Sequence, residues 1–409
     1  MGIKKIQLED ILRAQSVLSG KIQDTLTEFS RSCSRWLKTD VFLKFENQQT
    51  TGSFKVRGAL NKLMQLTEQE RKRGVIACSA GNHAQGVAYS ASLMGCASHI
   101  VMPKQAPLVK VRATEGYGAK VILHGEIFDE AFSKAQELAQ EKGYTFVHPY
   151  NDPWVMAGQG TIGLEILKAV PDLDSIVVPI GGGGLMSGVA TAVKAIRPQV
   201  RVYGAVPANS PSMYNLFHSK VGSEQKFSSR PTIADGLAVK VPNQDILESY
   251  IRPLVDDILT VSEDEIAEAI VVLMERAKAV VEGSGAVGLA AAAHAQGRWD
   301  LGEKCCVLLC GGNIDLNMIS KIIERGLVQR GRLARIAVIV RDQPGALNRL
   351  TGVLAQSQAN VIEVHHDRLS ANLQISQTRI DFLIETKSQD HLQEIKSNLE
   401  GAGAQVVLD

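Results

Sequence analysis

The sequence predicts an α/β protein of two lobes with parallel-type sheets, followed by a smaller domain of strand–helix–strand–strand–helix–strand order. Three observations carry this. Short β-branched runs alternate with amphipathic segments from about Gly74 to Pro149, and the alternation resumes after Trp154. The order of elements then changes beyond a polar, basic stretch at Gly326–Leu333. Strands recurring at the interval of one helix are joined by crossovers and pair in parallel.

In the first series Gly74–Cys78, Ser98–Met102, Lys120–Leu123 and Thr145–His148 read as strands. Ala84–Met94, Pro107–Tyr117 and Phe128–Lys142 lie between them with helical spacing. The second series runs through a helix at Gly160–Ala169, a strand at Ser175–Ile180, a glycine run, a helix to Ile196 and a strand at Val200–Val206. Ser262 followed by Glu265 has the pattern of a capping box and predicts a helix to about Val281. Cys305–Leu309 reads as another buried strand. Residues 1–326 are thus expected to form one domain, with a smaller lobe at about 50–150 nested within it. Residues 327–333 are expected to be a linker, and 334–409 a second domain. There the strands Arg335–Val340, Asn360–His366, Arg379–Glu385 and Gln405–Leu408, with helices Ala346–Gln356 and Asp390–Leu399, give the ferredoxin-like βαββαβ order.

Composition narrows the function classes. The 409 residues carry 44 basic and 43 acidic side chains, mixed along the chain, with no basic stripe to hold nucleic acid. Met1–Ser30 lacks the apolar core of a secretory signal, and no run is long enough to span a bilayer. The six cysteines form no CxxC pair and mostly sit in apolar runs, which predicts free thiols and the reducing cytoplasm.

Four segments carry candidate chemistry. Lys55, in Thr51-Gly-Ser-Phe-Lys-Val-Arg-Gly58, has small, hydroxylated and aromatic neighbours. A lysine drawn partly out of water loses basicity and can form a Schiff base, although by spacing alone a surface lysine at a helix start is the commoner outcome. Ser79-Ala-Gly-Asn-His-Ala-Gln-Gly86 links a strand to a helix, where backbone amides can bind an anion or simply make a well-capped turn. Gly181-Gly-Gly-Gly-Leu185 occupies the same kind of junction. Four consecutive glycines cost backbone entropy, and their amides can cradle a phosphate. The spacing meets the dinucleotide fingerprint poorly and has no P-loop lysine. The fourth segment, Leu309-Cys-Gly-Gly-Asn-Ile-Asp315, ends a buried strand, and Cys310 alone reads more readily as a core thiol.

Taken in order, TGSFKVRGA, SAGNHAQG, GGGGL and CGGNID resemble the fold-type II (tryptophan synthase β-like) pyridoxal-phosphate enzymes, and among them the threonine dehydratases, over roughly residues 5 to 325. The resemblance implies pyridoxal 5'-phosphate as cofactor and Lys55 as its Schiff-base lysine. It places Phe54 on the cofactor ring, Asn82 at the ring hydroxyl, and Gly181, Gly182, Gly183, Gly184 and Leu185 at the phosphate. Cys310 would face the ring nitrogen, and Ser79, Ala80, Gly81 and His83 would line the substrate carboxylate pocket. The implied reaction is elimination of water from L-threonine to give 2-oxobutanoate and ammonia, with L-serine a second substrate. A serine dehydratase or serine racemase is the alternative. Racemases of the family usually carry a hydroxyl where Ala80 stands, and cation-binding relatives a glutamate where Val206 stands, so neither racemisation nor a metal is expected. Glu282 matches an acidic position near the family's active site, without an assigned role.

The last domain resembles an ACT domain, with Arg341-Asp-Gln-Pro-Gly-Ala-Leu347 at the strand-to-helix turn that binds effectors in that family. The resemblance implies an amino-acid effector contacting Asp342, with a purely oligomerising module as the other reading. A homodimer or homotetramer is expected. Biosynthetic and degradative roles use the same residues and stay open.

Overall fold

The computed structural model describes residues 5–219, 229–295, 297–368 and 373–408. The chain divides into two compact units, Met1–Ile314 and Asp315–Asp409.

The first unit is built on two sheets. The larger has six strands in the spatial order Thr27–Phe29, Asp40–Lys44, Lys304–Leu308, Ser175–Pro179, Arg201–Pro207 and Asp257–Val261. Only the first pair is antiparallel. The smaller sheet has four parallel strands in the order Lys120–Leu123, Ser98–Met102, Val75–Cys78 and Thr145–Phe146. Ser175–Pro179 and Val75–Cys78 are buried throughout. Helices cover both faces of such sheets, which is why these strands read as unbroken apolar runs. Three of the four candidate segments, Ser79–Gly86, Gly181–Leu185 and Leu309–Asp315, follow the carboxyl ends of Val75–Cys78, Ser175–Pro179 and Lys304–Leu308. In open α/β sheets that is where ligands bind.

Two boundaries differ from expectation within this unit. The helix expected from Gly160 begins a full two turns earlier and spans Pro153–Ala169. Asp152 caps it by accepting from the amides of Trp154 and Val155, and proline at the first turn costs no hydrogen bond. The helix opened by Ser262 has its capping box, but spans Glu263–Val272 and widens into a π turn at Leu273–Ala277. Lys278, at φ 55°, then takes the left-handed conformation that ends it short of Val281.

In the second unit a helix at Leu316–Gln329 precedes a four-stranded antiparallel sheet. The spatial order is Asn360–Asp367, Gln377–Glu385, Leu333–Arg341 and Gln405–Leu408, with helices Ala346–Gln356 and Gln389–Gly401. Chain order is the expected βαββαβ. Ile336, Val338, Leu350, Phe382, Ile395 and Leu399 form its core. Residues 327–329 form the last turn of a helix, and the strand starts at Leu333, so the stretch expected as linker is largely ordered structure. Ile319, Ile322, Ile323, Gly326 and Leu327 keep helical spacing through the basic residues that suggested a linker. Among the described residues no helix is long and apolar enough to cross a membrane.

Candidate active site

Lys55 opens the helix Lys55–Met64 and is only partly exposed. Its Nζ donates to the carbonyl of Pro149 at 2.9 Å and lies 5.1 Å from the centre of the Phe54 ring. Burial lowers its pKa to about 8, against the neighbouring Cys310 and Glu282, which favour the charged form. A substantial neutral fraction near pH 7–8 follows. Gly86 lets the helix Asn82–Leu93 approach, since a Cβ there would sit 3.3 Å from Lys55 Cβ.

Tyr150, next to the carbonyl that holds Lys55, packs on the glycine loop. A Cβ on Gly182 would come within 2.4 Å of the Tyr150 ring, and one on Gly184 within 2.6 Å of its carbonyl oxygen. Gly183 adopts φ +91°, which disfavours any side chain. The loop therefore needs its glycines for both space and conformation. It feeds the 13-residue helix Gly184–Ile196, whose first turn has no acidic residue. A helix start of this kind presents unsatisfied amides and a positive dipole end to an anion. Leu185 is buried in the core beneath, with Phe54 and Cys310 in the same cluster.

Behind Lys55, three side chains form a relay. Asn313 Nδ2 donates to Asn82 Oδ1 at 2.7 Å and to the carbonyl of Thr51 at 2.8 Å. Asn82 Nδ2 in turn donates to Glu282 Oε1 at 2.7 Å. Burial and nearby Asp235 push the Glu282 carboxyl up to about 7, against the Asn82 hydrogen bond. Cys310 is buried, and its thiol donates to the carbonyl of Ser284 at 3.4 Å. Burial, reinforced by Glu282, pushes this thiol well above its ordinary pKa, so it is neutral. The backbones of Phe54 and Cys310 are joined directly, because Phe54 N donates to the Cys310 carbonyl at 3.2 Å. Ser53 Oγ and Ser284 Oγ, flanking this pair, are buried without a hydrogen-bond partner.

Ser79, Ala80 and Gly81 lead into the helix Asn82–Leu93, and Gly81 N donates to Ser79 Oγ at 3.1 Å. Ala80 packs against the smaller lobe's core and brings no hydroxyl. His83 is neutral. It is 3 % exposed, and burial beside Lys55 lowers its pKa to about 3. Its Nε2 lies 2.8 Å from the Val147 carbonyl, which can only accept, so Nε2 carries the proton. Nδ1 is left as a buried acceptor with no partner.

Residues 18–311 match the family model described as pyridoxal-phosphate dependent enzyme. The chain belongs to the pyridoxal-phosphate-dependent enzyme family. Residues 329–403 match the ACT domain model. This pyridoxal-phosphate enzyme is 46 % identical over 402 residues to an L-threonine ammonia-lyase of Thermotoga maritima, covering 98 % of this chain and 99 % of the relative. It is 46 % identical over 320 residues to the catabolic L-threonine dehydratase of Escherichia coli, covering 78 % and 96 %. Among solved structures it resembles threonine deaminase isoform 2 of Solanum lycopersicum, with TM-score 0.72, 34 % identity and coverage of 79 % and 91 %. It also resembles maize serine racemase, with TM-score 0.74, 34 % identity and coverage of 80 % and 99 %.

The residues present fit the cofactor. The glycine loop offers helix-start amides to an anion. The two unpartnered serine hydroxyls border the ground between Phe54 and Cys310, as expected where a polar ring belongs. Tyr150 and Asn313 were not singled out from the sequence. Asn313 lay inside the quoted CGGNID motif, but Tyr150 had no signal beyond following a strand. In the ACT unit, Asp342 follows the strand Leu333–Arg341, and its carboxylate pairs with Arg368 at 3.1 Å. Gly345, at φ +85°, opens the next helix.

Proposed function

We propose that this enzyme deaminates L-threonine to 2-oxobutanoate and ammonia by eliminating water, and accepts L-serine less well. The observation that carries the reading is the placement of a weakly basic Lys55 between Phe54, the glycine loop's Tyr150 neighbour and a neutral Cys310 thiol. The identity to threonine ammonia-lyases over nearly the whole chain supports it.

Pyridoxal phosphate, when bound, supplies an electron sink for the pair left at the substrate's α-carbon. The other tasks belong to the chain. Lys55 would hold the cofactor, and its Nζ would serve as the base for the α-proton. Its depressed pKa near 8 keeps a useful fraction unprotonated. The amides at Gly181–Leu185 would hold the phosphate, and Phe54 would pack on the ring. Asn82, oriented by Glu282 and Asn313, directs its amide at the ring hydroxyl. Cys310 has no negative charge with which to keep the ring nitrogen protonated. A weaker electron sink favours prompt loss of the β-hydroxyl over a long-lived carbanion. Ser79–Gly81, at the start of a 12-residue helix, receive the substrate carboxylate, with the neutral His83 as an uncharged wall.

We further propose that the first unit is catalytic and that the ACT unit binds an amino-acid effector near Asp342, in a symmetric dimer or tetramer. All six cysteines are buried free thiols, which supports the cytoplasm as the working compartment. Product analysis tests the reaction. The purified holoenzyme should release 2-oxobutanoate from L-threonine faster than pyruvate from L-serine. D-serine as the main product from L-serine would favour a racemase instead.

A further inference from the structure

A charge-balanced cluster, buried except for a half-buried Glu165, includes Arg57 from the helix that carries Lys55. Arg57 is 1 % exposed, and Lys44 and Glu46 are fully buried. Arg57 grips Glu46 with two hydrogen bonds, Nε to Oε2 at 2.8 Å and Nη2 to Oε1 at 2.7 Å. It also grips Glu165 with two, Nη1 to Oε1 at 2.5 Å and Nη2 to Oε2 at 2.9 Å. Lys44 Nζ completes the set by donating to Glu165 Oε2 at 2.5 Å and to the Thr25 carbonyl at 2.7 Å. Thr161 Oγ1 accepts from Arg57 at 3.1 Å, and Thr25 Oγ1 donates to Glu46. Burial would raise the Glu46 carboxyl, but Arg57 and Lys44 outweigh it and hold it below the ordinary range. Two cations thus meet two carboxylates.

Buried ion clusters contribute little net stability compared with well-packed apolar residues, because desolvation offsets their attraction. Their bidentate geometry nevertheless fixes direction and distance. In this chain the directions lead to both sides of the site. Arg57 lies two residues after Lys55, in the first turn of the same helix. On the other side, the Lys44 carbonyl accepts from Leu309 N at 2.9 Å, and Asn47 N, next to Glu46, donates to the Leu309 carbonyl at 2.8 Å. Leu309 immediately precedes Cys310.

We propose that the Lys44–Glu46–Arg57–Glu165 cluster is a positioning device that sets the placement of Lys55 relative to Cys310, and so of the cofactor held between them. This rests on the assignment of Lys55 and Cys310 to the cofactor made above. The four cluster residues act through the backbone segments they hold.

The test uses the holoenzyme of Arg57→Lys, which keeps the charge but loses the fork, and of Glu46→Gln. Thr161→Val, which removes one neutral contact, covers the case in which the first two do not fold. Four quantities are compared with wild type: kcat and KM for L-threonine per bound cofactor, the pH midpoint of the bound cofactor's visible absorbance, and Tm. Misplacement of a reacting group costs roughly tenfold to a hundredfold in rate, and that loss is expected in kcat with KM within about twofold. The absorbance midpoint should move by about half a unit or more, as expected for an altered lysine environment. Thr161→Val should move both in the same direction by less. A lower Tm with unchanged kcat and unchanged midpoint would reduce the cluster to a stabilising feature and overturn the proposal. Wild-type protein that makes no 2-oxo acid would sink the reaction assignment instead, while the absorbance midpoint would still judge the cluster.

Discussion

Asn82 Nδ2 donates to Glu282 Oε1 at 2.7 Å, with Asn313 holding the other end of the same amide. An amide engaged at both ends cannot flip, so its remaining donor hydrogen has a fixed direction. The Glu282 carboxyl titrates near 7, because burial and Asp235 disfavour its charge.

Replacing Glu282 by glutamine keeps shape but removes that titration. The kcat profile of wild type should bend near pH 7, and the bend should disappear in Glu282→Gln. There is a stability counterpart. A carboxyl raised from 4.5 to about 7 binds more protons in the folded state, so wild-type stability falls as pH rises from about 4.5 to 7 and then levels. Melting curves across that window should be flatter for the variant. A bend near pH 7 surviving in Glu282→Gln would assign it to another group.

Gly183→Ala places a side chain at φ +91°, where its Cβ would also meet Ile246 Cγ2 at 2.6 Å. Left-handed backbone with a Cβ costs on the order of 1–2 kcal/mol, and the clash adds to it. Cofactor retention on dialysis should drop at least roughly tenfold, as 1.4 kcal/mol implies. Full retention would show that the loop does not hold the phosphate.

Cys310→Ser replaces one neutral donor with another and should keep kcat within about an order of magnitude. Cys310→Asp introduces a carboxylate able to keep the ring nitrogen protonated, and should slow elimination by roughly a hundredfold or more. Equal rates in both variants, measured by single-turnover 2-oxobutanoate formation, would contradict the argument from thiol neutrality.

The two-lobed α/β plan and the βαββαβ unit were legible in the sequence because both depend on local periodicity. Buried parallel strands give unbroken apolar runs, as at Ser175–Pro179. The glycine loop was legible because four consecutive glycines have few structural explanations. What stayed hidden depends on distant partners. Asn82 and Glu282 lie 200 positions apart, and Arg57 reaches Glu165 across 108. His83 was expected only to line the carboxylate pocket, but burial beside Lys55 makes it neutral, and its Nε2 donates to the Val147 carbonyl, 64 residues on. The helix boundary at residues 327–329 was masked by glycine and arginine, which signal linkers only when apolar spacing stops.

The Asp342–Arg368 pair makes a prediction for the ACT unit. Asp342→Ala should leave basal threonine deamination unchanged and abolish any response of the rate to added amino acids. An undiminished response in that variant would place the effector elsewhere.

The central claim concerns Lys55, and one measurement addresses it most directly. Purified holoenzyme and Lys55→Ala, each with pyridoxal phosphate verified as bound, are given L-threonine and followed for 2-oxobutanoate. The account predicts steady production by wild type and a loss of several orders of magnitude in the variant. Production by Lys55→Ala at the wild-type rate, or none by wild type, would contradict it.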